Sequence, residues 1–158
     1  MRLLILSIFA AISLSSCPGS SANTTHGQMT ATFSNIVGTP SNFSLTQFNA
    51  TKVISGSSSS LTSVSATEGN RVIQITLTPG LVSGSRACVQ PNGQGDGCGV
   101  GVGVSQGGFL LSTTTNLNAS RTGNELTISG TVHFQKSDGS LAFDMAINST
   151  STITVNAP

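Results

Sequence analysis

From Glu125 to Gln135 the chain reads ELTISGTVHFQ, and no other stretch restricts the fold as tightly. Leu126, Ile128, Val132 and Phe134 share one parity with Gly130, while Glu125, Thr127, Ser129, Thr131, His133 and Gln135 take the other. Successive side chains of a strand point to opposite faces, so this is a strand with one buried and one wet face, as antiparallel sheets commonly have. A helix would scatter the same apolar residues around its circumference. Asp138-Gly139 follows, a dipeptide that two-residue hairpin turns favour, and then LAFDMAI with Leu141, Phe143, Met145 and Ile147 on one face. A turn centred there sets Phe134 opposite Phe143, Val132 opposite Met145 and His133 opposite Asp144. Both apolar rows then fall on the same side, as a hairpin requires. A three-residue loop over Asn148–Thr150 would bring STITV back, with Ile153 opposite Met145 and Val155 opposite Phe143.

Weaker alternation runs through the earlier chain: Met29, Ala31 and Phe33 in QMTATFS, Phe43 and Leu45 in NFSLTQF, Ile73, Ile75 and Leu77 in RVIQITLT, Phe109 and Leu111 in FLLSTTT. Turn residues punctuate these runs, and no helical period appears beyond the N-terminal segment. The expected fold is therefore all-β: a single antiparallel β-sandwich or small β-barrel of about eight strands over residues 28–158, ending in a three-stranded meander. Ser and Thr number 46 and charged residues are only 7%. Such a composition also occurs in disordered chains, but the regular apolar rows argue for a folded domain.

With a net charge of +1 there is no basic face for nucleic acid. Two His and five scattered acids match no zinc or EF-hand spacing, so no metal or cofactor is expected. Trp and Tyr are absent, which removes the usual stacking platforms for sugars and single strands.

The N-terminus carries an address. Arg2 precedes an apolar run from Leu3 to Leu14. Twelve residues span about 18 Å as a helix, short of the ~30 Å bilayer core, so the run reads as a signal peptide over 1–16. LSSC, Leu14 to Cys17, follows at once. This stretch resembles the lipobox of bacterial lipoprotein precursors, and the resemblance covers only the first seventeen residues. It implies that Cys17 becomes the lipidated N-terminus; the small, polar residues behind it make 17–27 a flexible tether, in which His26 reads as solvated. Pro18 stands where an Asp would mark inner-membrane retention, which makes the outer membrane the expected location. The competing reading is cleavage after Ala22, which would release a soluble secreted protein.

The stretch CVQPNGQGDGCGVGVGVSQGG, residues 88–108, invites a ligand reading. A dinucleotide fingerprint fails because Cys98, Val100, Val102, Val104 or Gln106 occupies the third glycine position in each frame, and no Gly-Lys pair exists for a phosphate loop. With Cys17 set aside for lipid, Cys88 and Cys98 form an even pair in an oxidising compartment, and a disulfide between them is expected. Beyond Cys98, Val100, Val102 and Val104 share one face and Gly99, Gly101 and Gly103 the other. A bare glycine row marks close approach: either a neighbouring side chain covers it, or a protein or glycan partner occupies it.

The hairpin register also pairs His133 with Asp144, two members of a possible hydrolase triad. An exposed strand offers neither cleft nor oxyanion donors, so a surface pair is the simpler reading. The function expected from these observations is a non-catalytic, lipid-anchored exported protein, a binding or structural module at the cell envelope. The alternatives are a small inhibitor acting through the 88–98 loop, and a hydrolase using His133 and Asp144.

Overall fold

The computed structural model describes residues 27–91, 97–104 and 109–155. The expected signal peptide, Cys17, His26 and the alternative cleavage position after Ala22 lie outside the described residues, as does the centre of the 88–98 loop.

The described chain is all-β, with strands β1 (Gly27–Val37), β2 (Phe48–Ala50), β3 (Lys52–Ser57), β4 (Thr62–Glu68), β5 (Arg71–Thr78), β6 (Gly84–Pro91), β7 (Gly97–Val104), β8 (Phe109–Leu111), β9 (Thr114–Thr122), β10 (Glu125–Gln135) and β11 (Ala142–Val155). They form one sheet in the order β6-β9-β10-β11-β1-β3-β4-β5-β7-β8, with β2 paired to β1. The sheet curls into a half-barrel. The expectation of about eight strands in an antiparallel sandwich or small barrel is thus corrected to eleven strands in one curled, mixed sheet.

The β10–β11 register is the one read from the sequence: Phe134 faces Phe143, Val132 faces Met145 and His133 faces Asp144. The expected break at 148–150 does not occur. Asn148, Ser149 and Thr150 continue the ladder against Ser129, Ile128 and Thr127 on one side, and against Thr30, Met29 and Gln28 on the other. The meander is therefore β9-β10-β11, not a hairpin plus a last short strand. The reason lies in Ser149 and Ser151, which sit buried on the inner row where an apolar residue was expected. Ser151 is accommodated there by the Ser55 hydroxyl, which donates to its Oγ at 3.1 Å.

The mixed pairing has a simple cause. Only Thr51 separates β2 from β3, so the chain runs down along β1, passes the start of that strand and continues beside β11 in parallel. At the crossing a Cβ on Gly27 would collide with the carbonyl oxygen of Thr150 and the backbone of Ser151, so only glycine fits. Gly130 in β10 has a φ of 141°, in the left-handed half of the map. A side chain there would strike the Asn116 carbonyl, so this glycine lets β9 and β10 approach closely.

The two ends of the half-barrel differ. At the mouth, where β1 and β10 finish and β11 begins, Phe134 and Phe143 stack with centroids 4.7 Å apart. Phe33 meets Phe143 edge-on at 5.8 Å and Phe43 at 5.9 Å. Phe43 belongs to no strand: the expected NFSLTQF strand is a loop over residues 42–47 that inserts the Phe43 ring into the mouth, and only its last residue, Phe48, is in a strand, β2. Arg71 holds this loop by donating to the carbonyls of Ser44, Thr46 and Gln47, while pairing with Glu68. At the base, Arg121 donates to the Ser57 hydroxyl at 3.0 Å, to the Leu81 carbonyl at 3.0 Å and to the Gly123 carbonyl at 2.9 Å. It ties β3, the 79–83 connection and the β9–β10 turn together.

Candidate functional site

His133 and Asp144 meet as the register requires, with Nδ1 and Oδ1 2.7 Å apart. The residue that sequence reasoning missed is Asn35, whose amide donates to the other carboxylate oxygen at 2.6 Å. A register shift in β1 between Ser34 and Val37 and a φ of 51° at Asn35 swing that side chain across to β11. Hydrogen bonds from Asn35 first and His133 second hold the Asp144 carboxyl below its ordinary value. Both members of the pair are about a third exposed on the outer face, at 39% and 34%. A carboxylate with both oxygens engaged can orient an imidazole, but a nucleophile and oxyanion donors would also be needed for acyl transfer.

Cys88 of β6 and Cys98 of β7 form a disulfide, with Cα atoms 5.6 Å apart. Both sulfurs are buried, whereas Val89 beside the first is 67% exposed. The glycine row is not uniform. Gly99 is exposed, and a side chain added there would meet nothing within 4 Å. Gly101 and Gly103 are buried. In register, Gly101 lies between Gln74 of β5 and Leu111 of β8, and Gly103 lies between Val72 and Phe109. Of the three positions expected to receive a partner, Gly99 is the open one.

Two adjoining clefts open at the mouth, each of about 250 Å³. One is bordered by Leu111, Phe134 and Leu141, the other by Pro40, Phe43 and Val102, and Leu110 and Lys136 belong to both. The walls are mostly apolar, with Gln135 in one and Ser41 and Asn42 in the other, and the single charge is the Lys136 ammonium. The connection carrying it is firmly built: Lys136 N–H donates to the Leu141 carbonyl, and Gly139 N–H to the Lys136 carbonyl. Asp138 accepts from the Ser140 hydroxyl at 2.7 Å and from its N–H at 2.9 Å. The Ser140 hydroxyl, then its N–H, holds the Asp138 carboxyl below its ordinary value. Mouths of β-barrels are common ligand sites, with apolar walls and a few placed polar groups. The sequence could not announce this one, because its residues come from four separated stretches.

Among the described residues no cluster of three or more His, Cys, Asp and Glu is arranged to hold a metal ion. No family model matches the chain, and no curated protein or solved structure is detectably similar to it.

Proposed function

We propose that the protein is a non-catalytic, lipid-anchored binding module of the bacterial cell envelope, tethered through Cys17 and engaging a partner at the mouth of its half-barrel. One observation carries the reading. The acid–base pair lies on the outer face, while a mostly apolar concavity with a single cation lies at the mouth. Chemistry and shelter are separated, as suits recognition rather than turnover. The apolar lining favours a protein segment over a glycan as the partner.

The Cys88–Cys98 disulfide is compatible with an oxidising, exported setting. No helix among the described residues is long and apolar enough to cross a membrane. In this reading a lipid on Cys17 is the means of attachment.

Mass spectrometry of the mature N-terminus tests it. The expected result is a chain beginning at an acylated Cys17, with Cys17→Ala moving the protein from the membrane pellet to the soluble fraction. A mature chain beginning at Asn23 without acyl mass overturns the anchor. An inhibitor acting through the 88–98 loop is the second reading, favoured by the exposed Val89 beside the disulfide.

A further inference from the structure

Among the described residues, the base of the half-barrel holds a buried arginine that no carboxylate pairs with. Arg121 lies on the inner face of β9 and is only 7% exposed. Among the described residues no carboxylate pairs with it: Glu68 is engaged by Arg71 and Asp144 by His133, Asp138 accepts from its own turn, and Glu125 is exposed. On the adjacent strand β6, Gly84 is directly opposite Arg121 and Arg86 is opposite Ala119. Arg86 therefore shares the inner parity of Cys88 and is the diagonal neighbour of Arg121, within reach of a long side chain.

Arg86 Nε and Nη2 are both buried and have no hydrogen-bond partner among the described residues. These two donors form one edge of the guanidinium plane, the edge that grips two oxygens of a carboxylate or phosphate side by side. Leaving a charged donor edge dry and unpaired is unfavourable, and a second buried cation beside it makes it more so. Gly84, directly opposite Arg121, is exposed, and an added Cβ there would meet nothing within 4 Å.

We infer that Arg86 and Arg121 form an oxyanion site at the base of the half-barrel. Arg86 grips a carboxylate or phosphate group through its Nε–Nη2 edge. Arg121, whose Nε and Nη1 are already committed to Gly123, Ser57 and Leu81, supplies the second positive charge. The site is distinct from the mouth and does not depend on the envelope role.

Titration of the purified protein with inorganic phosphate, and separately with acetate, at constant ionic strength tests this by calorimetry and by thermal denaturation. A saturable heat and a rising Tm with phosphate identify a phosphate-type ligand, and the same response with acetate identifies a carboxylate. Chloride should give neither. Arg86→Lys keeps the charge but loses the two-donor edge, and should weaken binding by at least about tenfold with an unchanged circular dichroism spectrum. Arg86→Gln should abolish it. The inference fails if neither anion differs from chloride, or if Arg86→Lys binds as tightly as the native sequence. It also fails if Asp96→Asn binds phosphate that the native sequence does not, because the chain's own carboxylate would then fill the edge.

Discussion

Cys88 and Cys98 join strands near opposite ends of the sheet order, β6 and β7, and bring their Cα atoms to 5.6 Å. The β6 ladder runs against β9 and the β7 ladder against β5 and β8, so the covalent bond fastens edges of the curl that do not share a ladder. Chain continuity helps, because β8 and β9 are separated only by Ser112 and Thr113, and Ser112 N–H donates to the Val100 carbonyl at 2.8 Å.

Cys88→Ala with Cys98→Ala should lower unfolding free energy by about 3 kcal/mol, the chain-entropy value for a loop of this length. Urea denaturation checks the magnitude. Amide exchange should show β6 losing protection before β10 does, since β6 has a partner on one side only and β10 on both.

The Asp144 carboxyl titrates below its ordinary value of 3.8, because Asn35 and His133 donate to it in the folded protein. A depressed folded value means that its contribution is complete above the unfolded value and is lost as pH falls through the folded one. Asp144→Asn should therefore flatten the acid side of the stability curve below the ordinary carboxylate range. With a third of the side chain exposed, the effect should stay within about 0.2–1 kcal/mol. Urea midpoints for the native sequence and the variant from neutral to acid pH would measure it.

Phe143 is fully buried between Phe134 and Phe33. Phe143→Ala should cost about 3–5 kcal/mol, through lost transfer energy and the cavity left behind. A shift of the denaturation midpoint at unchanged slope would mark it as a pure stability effect.

Two strand glycines should respond oppositely to alanine. Gly130→Ala places a Cβ against the Asn116 carbonyl at a φ of 141°, and should destabilise by about 2 kcal/mol or more. Gly99→Ala enters open space, and should be neutral or stabilise by up to about 1 kcal/mol. Thermal denaturation of the pair separates a glycine required by geometry from one that is not.

How much of this was legible depends on what each strand puts inside. The β10–β11 hairpin could be read to the residue, because its inner row is apolar and Asp138-Gly139 marks the turn. β9 could not, because its inner row is Thr115, Leu117, Ala119 and Arg121, which includes one polar and one charged residue. Ser149 and Ser151 hid the second half of β11 in the same way. Phe43 and Leu45 alternate as a strand would, yet spacing alone cannot separate a strand from a loop that plugs a barrel end. Cys88 and Cys98 were readable by counting. Asn35 was not, since its contact with Asp144 spans 109 residues and depends on an irregularity in β1. Arg121 left one usable sign, an arginine on the parity of Leu117 and Ala119.

The crossing at Gly27 also sets a direction. The chain enters the half-barrel at its base, because Gly27 is in register with Ser151 while the other end of β1 is in register with Ala142, next to the mouth. Residues 17–26 could reach at most about 35 Å when fully extended. A lipid on Cys17, as proposed, would therefore attach on the side of the base, with the rim at the opposite end of the half-barrel.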